Sequence, residues 1–193
     1  MNTPRPTPTS ARCRATRGFT LVELMIVLAV AAILLGTAVP AFTGLIRSSA
    51  LASATNDLFA AFLVARSEAV KRNARVAVCK SANGAACAQS GGWEQGWIVF
   101  HDANNNGARD PDERLVWHAQ PMSADMRLSG NLTVAKYVSY SPTGETKFAG
   151  GGFQAGTITL CHAAVKGGEA RQIIIASGGR PRVQKTRVQK CGG

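Results

Sequence analysis

The chain has 193 residues, enough for one ordinary domain with an appendage and too few for two full domains with linkers. Apolar residues make up 46%, which supports a packed core and excludes global disorder; aromatics at 6%, without low-complexity repeats, exclude fibrous and prion-like classes. The formal charge is +11 and it is polarised. Arg5, Arg12, Arg14 and Arg17 precede residue 18 without an acid, and Arg180, Arg182, Lys185, Arg187 and Lys190 follow one another late in the chain, again without one. Such polarisation points to an anionic partner more than to general solubility.

Residues 1–17 read as a basic, Pro/Thr-rich leader. From Gly18 to Val39 the sequence is apolar for about 21 residues, roughly 30 Å as a helix and the thickness of a bilayer core. The arginines precede this run, so the positive-inside rule keeps the leader cytoplasmic and exports the rest. An ordinary secretory signal, cut near Val39-Pro40-Ala41, is the competing reading. Against it, the run exceeds an h-region of about 7–15 residues. It also contains Glu23, a carboxylate that at membrane depth calls for a partner.

Arg17-Gly18-Phe19-Thr20-Leu21-Val22-Glu23 resembles the processing motif of type IV pilins and type II secretion pseudopilins. The resemblance implies that a prepilin peptidase cuts after Gly18 and that the new terminus, Phe19, is N-methylated. Glu23, then the fifth mature residue, would offset the terminal ammonium of a neighbouring subunit. Two charges forced into apolar surroundings are tolerated when they meet.

Pro40, between Gly36 and Gly44, is expected to kink or soften the helix as it leaves the membrane. Beyond it Leu51, Leu58, Phe62, Ala65 and Ala69 recur at helical intervals, so one helix is predicted from about Phe19 to about Asn73, with its second half amphipathic. From Arg75 the period becomes two. Val76–Lys80, Trp97–His101, Leu115–Gln120, Leu132–Tyr140, Thr157–Cys161 and Gln172–Ser177 read as strands between Gly- and Asn-rich turns. Strands at short spacings without intervening helices indicate antiparallel sheets.

The expected fold is therefore α+β: a long N-terminal helix packed on an antiparallel domain of two small sheets. That order of elements, with Gly96-Trp97-Ile98-Val99-Phe100 before an Asn-rich hairpin and the late Gly156-Thr157-Ile158-Thr159-Leu160-Cys161, resembles the GspH/FimT branch of pilin-like proteins. The implied organisation is a cleaved leader at 1–18, a transmembrane and filament-core helix at 19–46, and a periplasmic or extracellular domain at 47–193. The implied location is the inner membrane before assembly and a pilus afterwards. Other pilins and the prepilin peptidase are the implied protein partners.

Five cysteines become four once Cys13 leaves with the leader, and an even count in an exported domain suggests disulfides. Three pairings are formally possible. Cys79 and Cys87 suit a small local loop, which leaves Cys161 with Cys191; one or more free thiols is the alternative. Asp102, Asn104, Asn106, Asp110 and Glu113, with Gly107 at the sixth position, fit a twelve-residue calcium-loop pattern. The flanks read as strands, and Asn-Gly and Asp-Pro also serve hairpin turns, so a turn is expected with calcium as the alternative.

Catalytic patterns are missing. There is no Gly-x-Ser-x-Gly or His-Glu-x-x-His, and His101, His118 and His162 have no ligand spacing. Lys185-Thr186 follows Gln184 where a phosphate loop needs Gly. Neither an enzyme nor a cofactor is expected.

Function is expected in the basic stretch after Ser177. In an extended segment Arg180 and Arg182 share a face, Pro181 restricts the backbone between them, and Gly179 would let a nucleic-acid backbone approach. Paired guanidiniums suit consecutive phosphates, with Lys185, Arg187 and Lys190 lengthening the track. No aromatic is interleaved, so the expected DNA binding is sequence-independent. Gly179-Arg180-Pro181-Arg182 is similar to the Gly-Arg-x-Arg element of FimT-type minor pilins, which implies DNA uptake in natural transformation. Three readings compete: a DNA-binding minor pilin, a structural type II secretion pseudopilin in which the arginines are solvated or pair with a neighbouring pilin's acids, and a calcium-stabilised adhesive pilin.

Overall fold

The computed structural model describes residues 18–131, 134–164 and 167–191, with the side chains of 37 and 39–41 in the first helix left out. The leader and Cys13 lie outside the described residues. The chain divides into two compact units between Thr43 and Gly44. Helix α1, Leu21–Arg72, runs through that division without a break in its assignment.

Among the described residues, the first unit consists of 18–20 and the first part of α1. Leu21–Gly36 is apolar apart from Glu23, and its Leu, Ile and Val side chains are exposed along the whole stretch. An exposed apolar surface of that size marks a membrane or protein contact.

The second unit opens with the remainder of α1. Over 44–72 the helix is again rich in apolar residues. Its apolar face, however, is buried against the domain: Leu51, Ala54, Leu58, Ala61, Phe62, Ala65 and Ala69 have almost no exposure. The recurring alanines let the backbone lie close to the sheets. Thr55 is tolerated in this stripe because its hydroxyl donates to the Leu51 carbonyl at 2.6 Å. Truncating Leu58 or Phe62 to Ala would cost about 2–5 kcal/mol.

Eight strands follow in two antiparallel sheets. They are β1 Val76–Lys80, β2 Trp97–His101, β3 Leu115–Ala119, β4 Met126–Gly130, β5 Tyr137–Tyr140, β6 Gly156–His162, β7 Gly168–Ile175 and β8 Pro181–Val188. Sheet A has the order β3-β2-β1-β5 and sheet B the order β4-β6-β7-β8. Val76, Val78, Val99 and Val138 from sheet A meet Leu128, Ile158, Leu160 and Ile173 from sheet B over the helix stripe. Phe62 and Trp93 stand edge to face at 6.0 Å between ring centroids. Ala77, Cys79, Ile98 and Phe100, on the other face of sheet A, form a second small cluster with Tyr137.

The fold class expected from the sequence is the one found; the strands at Leu115–Gln120 and Thr157–Cys161 differ by one residue at one or both ends, as Leu115–Ala119 and Gly156–His162, and four differences are larger. The expected strand over 132–140 is shorter, because Tyr137–Tyr140 alone pairs with β1 and residues 132–133 lie outside the described residues. The strand expected at Gln172–Ser177 begins earlier, at Gly168, and ends at Ile175. Strand β4 was not expected: its Met-Arg-Leu-Ser-Gly alternates but lacks β-branched residues. Strand β8 stands where a tail was expected.

Candidate nucleic-acid interface

The acid-free stretch after Ser177 is the edge strand of sheet B. It pairs with β7 over its full length, from Ile175 opposite Pro181 to Gly168 opposite Val188. Residues 176–180 make the connecting turn. Gly179 in that turn has φ +73 and is buried, and its N–H donates to the Ala176 carbonyl at 2.8 Å. A Cβ at this position would overlap the carbonyl oxygen of Gly144. The expected role for Gly179, open backbone for an approaching ligand, is thus replaced by close packing inside the domain.

That packing holds the turn rigid. Gly144 belongs to a second turn, closed by its N–H to Ser141 O at 2.8 Å, and its carbonyl accepts from Arg66 Nε on α1 at 3.0 Å. Thr146 donates through its N–H to Ser177 O at 3.1 Å. Its hydroxyl donates to Gln154 O at 2.6 Å, with Ala176 O at 3.0 Å. Arg66 and Thr146 were not expected to matter here. No sequence signal tied them to the turn, because both contacts go to backbone atoms far along the chain.

Pro181 is buried while Arg180 and Arg182 are exposed. Pairing with β7 sets the face of Arg182, which lies opposite Ile174 on the outer side of sheet B; Arg180 stands before the strand, at the end of the connecting turn. Lys185 and Arg187 lie opposite Arg171 and Glu169, on the face that carries Ile173 and Ile175 into the core. They are exposed at the edge, but strand parity separates them from Arg182, and Arg187 has an acid across from it. The single track of positives expected along the stretch is therefore split between two faces.

The outer face of sheet B is polar. Asn131, Ser129, Thr157, Thr159, Gln172 and Gln184 lie on it in cross-strand rows. Gln184 Nε2 donates to Gln172 Oε1 at 2.7 Å, and Gln172 Nε2 donates to Thr159 Oγ1 at 3.3 Å. Cys161 is bonded to Cys191 and Cys79 to Cys87.

At the other end of the chain Gly18 and Phe19 are exposed just before α1. Thr20 and Glu23 form a capping box: Glu23 Oε2 accepts from Thr20 N at 3.0 Å, and Thr20 Oγ1 accepts from Glu23 N at 3.2 Å. The sequence signal for this box is a Thr three residues before a Glu at the head of an apolar run, and it gives Glu23 a capping role besides its charge.

The Asp102–Glu113 loop satisfies its own carboxylates. Asp102 is buried and accepts from Asn106 N at 2.9 Å and Gly107 N at 3.1 Å. Glu113 accepts from Ala103 N at 2.7 Å and Asp110 N at 3.0 Å, and Asp110 accepts from the side-chain amides of Asn104 at 2.6 Å and Asn106 at 3.0 Å. Burial pushes the Asp102 carboxyl above the usual range, against the two amide bonds that pull it down. The loop packs on the connection between β1 and β2, with Arg109 N–H directed at Cys87 Sγ at 3.3 Å and Arg109 Nη1 donating to Ala85 O at 2.6 Å. Among the described residues no group of three or more His, Cys, Asp or Glu is placed to hold a metal ion.

The histidines are separate. His162 joins the end of β6 to α1, its ring nitrogens 3.0 Å from Asp125 Oδ2 and 3.1 Å from Arg47 O. His101 ends β2, where burial lowers its pKa, and His118 lies in β3 beside Gln120.

The model of the family described as "Type II transport protein GspH" matches residues 54–179, and that of the "Prokaryotic N-terminal methylation motif" matches residues 13–39. A curated relative, the pilin-like protein PilA1 of Thermus thermophilus, is 28% identical over 87% of this chain and 98% of its own length. Among solved structures, two crystal forms of the type IV minor pilin FimU of Pseudomonas aeruginosa superpose with a TM-score of 0.54. They are 17% and 16% identical, and each covers 73% of this chain and 94% or 99% of its own. At that identity the likeness speaks for the fold. Family and fold are those of structural proteins, with processing by prepilin peptidase and association with other pilins implied by the motif. The chain belongs to the GspH family of pilin-like proteins, the group of type IV minor pilins and pseudopilins.

Proposed function

We propose that this chain is a minor pilin of a type IV pilus that binds DNA without regard to sequence, for uptake in natural transformation. The observation that carries the reading is the Gly179-Arg180-Pro181-Arg182 turn. Its glycine and proline are buried in the domain, while its two arginines are exposed, Arg180 at the end of the turn and Arg182 on an acid-free strand. Guanidiniums on an anchored backbone lose less freedom on binding than those of a loose tail, and each can engage a phosphate bidentately. Arg180 and Arg182 form the centre of the site, anchored by the buried Gly179; Lys185 and Arg187 add charge from the opposite side of the edge strand.

In this reading residues 1–18 are the leader, cut after Gly18. Residues 19–46, starting at N-methylated Phe19, anchor the precursor in the inner membrane and later fill the filament core. Residues 47–193 form the exported domain. Glu23 meets the terminal ammonium of a neighbouring subunit through Oε1, since Thr20 bonds only its Oε2. The Asp102–Glu113 loop is a structural turn, since backbone and side-chain amides already occupy its carboxylates.

A second reading is a structural pseudopilin of type II secretion, favoured by the family model over 54–179. The two separate on one experiment. Detergent-solubilised processed chain is titrated with duplex and single-stranded DNA of unrelated sequences over a range of salt. The DNA-binding reading expects similar affinities among sequences and log–log salt slopes of roughly −3 to −4.5 on duplex and −2 to −3.5 on single strands. No salt-sensitive binding would leave the pseudopilin.

A further inference from the structure

We propose that a polar cavity on the outer face of sheet B seats a further phosphate of the nucleic-acid backbone, beyond those met by Arg180 and Arg182, and that the Cys161–Cys191 disulfide places the cation of that seat, Lys190. This rests on the DNA-binding reading above and extends it from the turn to the sheet face.

The cavity, of about 360 Å³, is lined by the hydroxyls of Ser129, Thr157 and Thr159, the carboxamides of Asn131 and Gln172, and Lys190, with no acid among its lining residues. It is a donor-rich site. Gln172 and Gln184 are bonded in a directed row that ends by donating to Thr159 Oγ1, so the hydroxyl proton of Thr159 is left to turn towards a ligand. A phosphodiester oxygen accepts and never donates, and its charge complements the ammonium. Hydroxyls and amides facing a phosphate and its sugar read no base edge, in keeping with sequence-independent binding.

Lys190 reaches this cavity because of the disulfide. Cys161 shares the outer face of β6 with Thr157 and Thr159, and β7 lies between β6 and β8. To bond Cys161, the chain after β8 must cross the outer face of β7. Gly167 N donates to Gln189 O at 3.2 Å, one step beyond the Gly168–Val188 pair, so the chain leaves the sheet edge only after Gln189; Ala170, opposite Cys161 on the outer face of β7, is 0% exposed. The neighbour of Cys191 in sequence is thereby brought over the sheet. Arg182 lies in the same cross-strand row as Ile174 and Thr157. Two strand spacings, about 10 Å, separate it from the cavity, so one backbone can engage both.

The test is a salt titration of DNA binding by the detergent-solubilised full chain with both disulfides formed. K190Q should shallow the duplex slope by about one contact, or ~0.9, and K190R should restore it. C161S/C191S, which keeps Lys190, should lose the same contact; circular dichroism checks its fold, and K190Q decides the seat if that variant does not fold. R180Q/R182Q should lose about two contacts separately. A parent slope in K190Q, with a shallower one in R180Q/R182Q, overturns the seat and leaves the DNA-binding reading standing. A folded C161S/C191S with the parent slope overturns the role of the disulfide. A parent with no salt-sensitive binding overturns both proposals.

Discussion

Gly179 packs its α-carbon against the carbonyl of Gly144, a contact in which any side chain at 179 would overlap the Gly144 oxygen. Two turns from different sheets are thereby locked together, and the same Gly144 carbonyl accepts from Arg66 of α1. The arginines proposed to meet DNA begin one residue later. Their placement is thus set by contacts inside the domain, at a point where helix, sheet A and sheet B come together.

A first prediction follows from that contact. Gly179→Ala adds both a left-handed conformation unfavourable to L residues and a backbone clash, and should destabilise the domain by about 1–3 kcal/mol. Gly144→Ala, also at positive φ, meets mainly the side chains of Arg66 and Val70 and should cost less. Thermal unfolding of the two variants beside the parent measures the order; equal effects would contradict it.

Processing gives a second. The mature protein should start at N-methylated Phe19, read by mass spectrometry of membrane-derived material. A terminus at Phe42 would show ordinary signal cleavage instead.

The disulfides give a third. Non-reducing peptide maps should contain Cys79–Cys87 and Cys161–Cys191, the pairs bonded in the structure. Removing the second, which closes a separation of 30 residues, should lower stability by about 3–4 kcal/mol in the chain-entropy model. Free Cys191 in exported protein would contradict the map.

The fourth concerns pH. The folded Asp102 carboxyl lies above its ordinary 3.8, with burial as the main cause. Between 3.8 and the raised folded value the native state binds more proton than the unfolded chain, so this residue's contribution is full below 3.8 and is lost as pH rises through the folded value. Asp125 is shifted the other way, by hydrogen bonds from Ser123 and then His162; its contribution is present above 3.8 and is lost as pH falls through its lowered folded value. Melting temperature against pH should therefore show the parent losing stability relative to Asp102→Asn as pH rises through the Asp102 window. The opposite trend would show that the two amide bonds outweigh burial.

Much of the fold was legible because its signals are periodic. The stripe of Leu51, Leu58, Phe62, Ala65 and Ala69 is buried as its spacing requires, and Val76–Lys80 and Trp97–His101 are strands with the bounds read from the sequence. Strand β8 was not legible, since Arg182, Gln184 and Lys185 carry the composition of a solvated tail. Its strand character comes from pairing with β7, although Ser177-Gly178-Gly179 between two runs was an available hairpin signal. The two-face split of Lys185 and Arg182 follows from that same pairing. The roles of Arg66 and Thr146 were hidden for a different reason: each bonds backbone carbonyls brought near only by the tertiary fold.

The proposal that Arg180 and Arg182 meet DNA is tested most directly by one comparison: the salt dependence of DNA binding for the parent and for R180Q/R182Q, both as detergent-solubilised full chains whose fold is matched by circular dichroism. The account predicts weaker binding to every sequence and a duplex slope shallower by about two phosphate contacts, or roughly 1.8. A folded double variant that binds with the affinity and slope of the parent would contradict it.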